Sequence, residues 1–154
     1  MKRRNKILLL LFIIFISMQF IQPARNEDGQ VLFCHIEKMY TVPDTVLSIL
    51  KNSCYDCHSN NTRYPWYSGI QPGAWFMAHH IKEGKEKINF SEFGTYSKRK
   101  QQSKLKEMND NISDGSMPLW SYTLIHANAK LSESDKAILG KWISDTKDNI
   151  SLKK

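Results

Sequence analysis

The chain opens on an almost unbroken apolar run, Ile7 to Ile21, broken only by Ser17 and Gln19 and preceded by Lys2, Arg3, Arg4 and Lys6. A basic segment followed by such a run is the pattern that engages the secretion machinery, so the rest of the chain is expected to be exported, to the periplasmic side of an inner membrane. As a helix the 15 residues cover about 22 Å, short of a ~30 Å hydrocarbon core. No small-x-small cleavage site follows, and Gln22-Pro23-Ala24-Arg25 is a poor one. This favours an uncleaved signal anchor at 1–24, with the basic cluster on the cytoplasmic side, over a cleaved signal peptide. A buried core helix is disfavoured because the run has no polar face.

Residues 25–43 turn polar and then mixed and read as a tether, with Val31, Leu32 and Phe33 able to dock. Helical spacing starts after Pro43: Asp44 is the expected N-cap and Val46, Leu47, Ile49 and Leu50 form the apolar side of a short helix running into Cys54. A second helix is predicted from near Pro72, with Trp75, Met77, Ala78 and Ile81 largely on one face until Gly84. Ser97 to Ile112 carries only Leu105, Met108 and Ile112 among Lys, Gln and Glu and reads as a solvated surface helix. The last helix is announced by Ser132-Glu133-Ser134-Asp135, a capping box with Asp for the usual Glu, followed by Ala137, Ile138, Leu139, Trp142 and Ile143. No strand pattern and no repeat is present. The expectation is an all-α fold with one domain over 44–150.

Composition narrows the function. With 154 residues and 41% hydrophobic content the chain fits a single folded domain. The net charge of +7 is mostly N-terminal: the four basic residues of the first six leave +3 for the rest, and neither a zinc finger nor an RNP pattern occurs. Nucleic acid is not an expected partner. Lys82 to Lys106 is rich in Lys and Arg and offers a docking patch for an acidic redox partner, although ordinary solubility explains it equally simply. Three cysteines exclude a disulfide scaffold.

Two of them lie in Cys54-Tyr55-Asp56-Cys57-His58, the C-x-x-C-H pattern of covalent haem attachment. Two thiols at this spacing reach the two vinyl groups of one porphyrin, and the next residue brings an imidazole to the iron. Export agrees with this, because cytochrome c maturation takes place outside the cytoplasm. A thioredoxin-like dithiol needs a preceding strand, and a zinc site needs a second ligand pair; neither pattern is present. For the second axial ligand Met117, in the Gly115-Ser116-Met117-Pro118 loop, is the leading candidate, since a thioether opposite His58 favours ferrous iron and suits electron transfer. Packing of Met117 against Leu119 or Trp120 is the plain alternative. His35, His79, His80 and His126 are rival ligands. Tyr64, Trp66, Tyr67, Trp75 and Phe76 are expected to line a haem crevice or simply to fill the core, Arg63 to meet a propionate or solvent, and Cys34 to be a buried, inert thiol.

The block Cys54-Tyr55-Asp56-Cys57-His58-Ser59-Asn60-Asn61-Thr62-Arg63-Tyr64-Pro65-Trp66-Tyr67, with Gly84, Asn89-Phe90-Ser91, Met117-Pro118, His126, Ala129 and Leu131-Ser132, resembles the bacterial haem-binding domain family over roughly 44–143. That resemblance implies small exported proteins with one haem c held by Cys54 and Cys57 and ligated by His58, and it implies no catalytic residue. More distantly the chain is similar to mono-haem cytochromes c, whose helix before the motif, late Met-Pro loop and C-terminal helix come in the same order. The leading expectation is a membrane-tethered electron carrier, not an enzyme, exchanging electrons with unidentified donor and acceptor proteins. The alternatives are a five-coordinate gas sensor or peroxidase-like enzyme, and a haem-containing interaction module.

Overall fold

Ser132 sets the start of the last helix. Its Oγ accepts from the Asp135 amide at 3.1 Å, and the Asp135 carboxylate accepts in return from the Ser132 amide at 2.9 Å, a reciprocal cap that contributes about 1 kcal/mol. From there α8, Glu133–Leu152, buries Leu139, Trp142, Ile143 and Ile150 along one stripe. A computed structural model describes residues 2–30 and 33–152; Val31 and Leu32, two of the residues expected to dock, lie outside the described residues. Before α8 come α1 (Arg3–Met18), α2 (Ile36–Met39), α3 (Asp44–Ser53), α4 (Tyr55–His58), α5 (Gly73–Lys87), α6 (Lys98–Ser113) and α7 (Trp120–Ile125), with 3-10 turns at Trp66–Gly69, Phe90–Thr95 and Ala127–Ala129. Among the described residues there is no strand, only an isolated antiparallel bridge between Glu27 and Asn61. The all-α expectation holds.

The core lies where α3, α6 and α8 meet the Phe90–Thr95 turn, around Leu50, Phe90, Phe93, Leu105, Leu139 and Ile143. Burial of each such side chain contributes roughly 1.5–3 kcal/mol. Here α6 departs from its expected role as a solvated helix. Gln101, Leu105, Met108 and Ile112 are buried, spaced by four, three and four, so few apolar residues at the right spacing make a core face. Gln101 joins them because its amide is used in full: Nε2 donates to the Tyr96 carbonyl at 2.9 Å and to that of Phe93 at 3.2 Å, and Oε1 accepts from the Tyr40 hydroxyl.

One helix start and one helix end also differ from expectation. Asp44 is the first residue of α3 rather than its cap, with Pro43 before it, and α5 runs past Gly84 to Lys87. The stretch expected to be a tether is fastened to the body instead. The Asn26 amide N–H donates to the Tyr64 hydroxyl at 2.8 Å, its side-chain amide donates to the Ser59 carbonyl at 2.8 Å, and Cys34, His35 and Ile36 are buried. The contacts of Asn26 are polar, which a hydrophobicity pattern does not register, while Ile36 enters the hydrophobic core with Tyr40 and Val42 packed against it. Phe33, by contrast, is exposed. Cys34 is buried as expected, its thiol 3.3 Å from the Ser91 carbonyl.

The N-terminal apolar run forms α1 from Arg3 to Met18, 16 residues or about 24 Å. No helix among the described residues is long and apolar enough to cross a membrane.

Candidate functional site

The C-x-x-C-H motif is one helical turn. The backbone leaves α3 at Cys54 (φ −128°, ψ −45°), and the amides of Cys57 and His58 then both donate to the Cys54 carbonyl, at 3.2 and 2.9 Å. Positions three and four apart share a helix face, so Cys54, Cys57 and His58 are presented together. Against this turn α5 packs so closely at Gly84 that a Cβ there would come within 2.6 Å of the Cys57 carbonyl oxygen.

That close approach fixes the histidine. His58 Nδ1 lies 2.8 Å from the Gly84 carbonyl oxygen and 3.1 Å from that of Ile88. Both neighbours only accept, so Nδ1 carries the proton and the lone pair is on Nε2. Burial pushes the His58 pKa below its usual value, against the two carbonyls that draw it upward, and keeps the imidazole neutral. A neutral ring with Nδ1–H held by backbone and Nε2 free is the form that ligates a metal.

Two adjoining cavities, of about 310 and 480 Å³, share Ser53, Cys54, His58, Lys87, Met117 and Pro118 in their walls, sizes within the ~300–1,000 Å³ of cofactor pockets. The first continues over Phe90, Met108, Ile112 and Leu131, the second over Cys57, Gly84, Leu119 and Tyr122. The four residues singled out in the sequence therefore line one concave region. Met117 reaches it because α6 stops cleanly: Gly115 takes the left-handed conformation (φ +77°), and the Met117 amide donates to the Asn111 carbonyl at 3.0 Å. The mostly apolar walls, paired thiols and pre-set imidazole fit a haem. Residues 13–145 match the profile of a family described as the haem-binding domain. The chain belongs to this family.

No curated protein and no solved structure gives a significant match. As a haem-binding domain the protein takes haem as its cofactor, and the matched residues begin inside α1 and include the fastened stretch at 25–43. Two rival chemistries find no support. Burial pushes the Cys54 thiol up to about 12 and that of Cys57 up to about 11, so both are protonated and poor redox nucleophiles. Among the described residues no group of three or more His, Cys, Asp and Glu could hold a metal ion.

Of the rival histidines, three are engaged away from the cavities. His126 Nδ1–H donates to the Tyr122 carbonyl at 3.2 Å, so Nε2 accepts from the Tyr67 hydroxyl at 3.1 Å. Buried His35 accepts from the Glu37 amide and caps α2, and exposed His79 faces Glu83 at 3.3 Å. His80 is different: it lines the second cavity, and its buried Nε2 has no hydrogen-bond partner.

Of the aromatic group after the motif, Trp66 is 87% and Phe76 59% exposed, and Tyr67 and Phe76 line an adjoining apolar pocket of about 220 Å³ that shares Asp56, Cys57, His80, Leu119 and Tyr122 with the second cavity. The ring beside His58 is Phe90, at 6.4 Å between centroids. Trp120 is 77% exposed, and Leu119 lines the second cavity together with Met117. Arg63 meets Asp56 rather than the cavity: its amide and Nε each donate to Oδ1 at 3.1 Å, while the Tyr122 hydroxyl donates to Oδ2 at 2.7 Å. Among the basic residues of 82–106, Lys104 pairs with Glu107 at 3.0 Å and Lys106 with Asp110 at 2.7 Å.

The rest of the long block builds the frame. Thr62 Oγ1 donates to the Asp56 carbonyl at 2.6 Å, Ser59 Oγ to the Tyr55 carbonyl at 2.8 Å, and the Asn60 amide to Ser91 Oγ at 3.0 Å. Asn89 Nδ2 donates to Asn60 Oδ1 at 2.8 Å. These bonds tie the haem turn to the Phe90–Thr95 turn. Sequence reasoning missed the wall residues Lys87, Met108 and Tyr122; the signals pointing to α5 were Gly84 in the family resemblance and His80 among the rival ligands.

Proposed function

We propose that the protein carries one covalently attached haem c and transfers electrons at the outer face of a membrane to which α1 tethers it. Cys54 and Cys57 hold the haem through thioether bonds, each S–H adding across a vinyl group, with the cytochrome c maturation machinery as the agent. His58 Nε2 and Met117 sulfur are the axial ligands. The haem supplies a ferric/ferrous couple; the protein supplies the low-dielectric walls and the fixed imidazole that tune it. The observation that carries the reading is the His58 Nδ1–H held at 2.8 Å by the Gly84 carbonyl, in a cavity that Met117 also lines. The role is electron carriage rather than catalysis, and donor and acceptor are proteins that dock at the cavity mouth.

A second ligand set rests on a specific observation, the unpartnered buried Nε2 of His80 in the wall of the same cavity. Oxidised and dithionite-reduced spectra of the protein matured with haem, beside Met117→Ala, His80→Ala and Cys54→Ala/Cys57→Ala, separate the possibilities. The expected result is a low-spin spectrum whose sulfur-to-iron band vanishes in Met117→Ala alone, and no covalent haem in the double cysteine variant. Loss of the low-spin form in His80→Ala would assign bis-histidine ligation. A high-spin wild type that binds carbon monoxide would replace electron carriage with gas sensing or peroxidase-like chemistry.

A further inference from the structure

From Ile7 to Ile16 helix α1 is apolar on every side, and each of these residues is between 41% and 61% exposed. Its C-terminal end is not a free hinge. The Gln71 amide N–H donates to Gln19 Oε1 at 2.9 Å, Gln71 Nε2 donates to the Ile21 carbonyl at 2.7 Å, and the Trp75 indole N–H donates to the same carbonyl at 3.0 Å. Gln22 Nε2 donates to the Gly69 carbonyl at 2.9 Å, and Gln71, at the centre of the joint, is 1% exposed.

Most of the large apolar side chains exposed on the body come from the stretch that forms this joint and from α7, Phe33, Met39, Ile138 and Leu152 being the exceptions. Trp66 and Ile70 flank it, and Phe76 and Ile125 share the walls of the 220 Å³ pocket beside it. Trp120 and Leu124, 77% and 73% exposed, continue the surface one helical turn apart on α7. They come from two stretches, 65–78 and 116–129, that contain no Asp, Glu, Lys or Arg in a chain 24% charged. Asp56 and Arg63, which also line the pocket, are paired with each other at 3.1 Å. Trp beside an uncharged apolar surface is the composition of a membrane–water interface.

We infer that these two uncharged stretches form a membrane-docking face, seated in the headgroup region of the bilayer that α1 enters. The inference rests on the tethering part of the proposed function and explains how a short helix serves as an anchor. At about 24 Å, α1 falls short of a ~30 Å hydrocarbon core. Lys2, Arg3, Arg4 and Lys6 snorkel at its far end. At its near end the rigid joint draws Trp66, Phe76 and Ile125 into the interface, and interfacial apolar faces of this kind settle roughly 5–10 Å deep. The helix and the body face then form one continuous membrane-contacting surface, and the body has one orientation rather than swinging on a leash.

The test uses the full haem-loaded chain in vesicles of phosphatidylcholine and phosphatidylglycerol. p-Acetylphenylalanine is placed singly at Phe12, Trp66, Ile125 or Asn149 and coupled to a nitroxide, which leaves every cysteine untouched; all four sites are exposed, so the labels do not disturb the core. Oxygen and a water-soluble nickel complex serve as collision reagents. On addition of vesicles the ratio of oxygen to nickel accessibility is expected to rise several-fold at 12, 66 and 125 and to stay unchanged at 149. A rise at 12 with water-like labels at 66 and 125 overturns the docking face and leaves the tether standing. No rise at 12 removes the tether and the docking face together. Labels at 66 and 125 that become immobile and closed to both reagents point to a protein covering the face, a second copy included, and also overturn the inference.

Discussion

Replacing Gly84 by alanine tests the contact that sets the haem turn. The new Cβ would sit 2.6 Å from the Cys57 carbonyl oxygen and 3.2 Å from both the carbonyl carbon and the Cβ of Cys57. Two of those atoms are backbone, so no side-chain rotation relieves the overlap and α4 and α5 must move apart by several tenths of an ångström. Overpacking of this kind costs about 1–3 kcal/mol, and weakening the His58–Gly84 hydrogen bond adds about 0.5–1.5 kcal/mol. Against this, alanine gains about 1 kcal/mol over glycine in a helix interior. The expected net loss is about 1–3 kcal/mol. Gly140 in α8 supplies the control, because a Cβ there meets only the Asn109 side chain at an ordinary 3.4 Å. Gly140→Ala is expected to stabilise by about 0.5–1 kcal/mol through the same propensity. Urea unfolding of the haem-loaded protein should thus move in opposite directions for the two variants, and only Gly84→Ala should disturb the haem spectrum. Equal stabilisation by both would refute the close approach of α4 and α5 and the bracing of His58 with it.

Asp56→Ala is expected to cost about 2 kcal/mol in urea unfolding, because it strands the Tyr122 hydroxyl and the Arg63 amide, whereas Arg63→Ala should cost less than about 1 kcal/mol, since the guanidinium is largely exposed. Leu105→Ala should cost about 2–5 kcal/mol, while a solvated α6 would show a change within about 0.5 kcal/mol; the same unfolding curves decide it. Burial holds His35 below its ordinary 6.5, so the unfolded chain binds a proton that the folded chain refuses. Its contribution is complete above about pH 6.5 and is lost as the pH falls toward the folded value, so the urea midpoint should drop between pH 7.5 and 5.5. It should drop less in His35→Asn, which keeps an acceptor for the α2 cap and does not titrate, and an equal drop in both would assign the acid sensitivity elsewhere.

What could be read from the chain alone follows the range of the interactions. Cys54, Cys57 and His58 were legible because a single helical turn brings them together, and α8 because its cap and stripe are local. The bracing of His58 was not legible, since it is made by backbone carbonyls 26 and 30 residues away that any residue type could supply. Counting apolar residues in α6 missed that their spacing, not their number, forms a core face, and the fastening of Asn26 went unseen because it runs through amides and hydroxyls.

The same distinction explains why the family resemblance is sharp and its functional content coarse. Between Ser59 and Tyr67 none of the residues lines the two haem-binding cavities; Ser59, Asn60, Thr62 and Arg63 instead bind the turn to its surroundings. A frame of this kind constrains residue type at many positions, because each polar group must meet its one partner. Axial ligation asks for a single suitable donor in the wall, and both Met117 and His80 stand there. The long block therefore identifies the frame around the C-x-x-C-H turn, while the proposed electron-transfer role turns on which of two cavity residues would complete the iron.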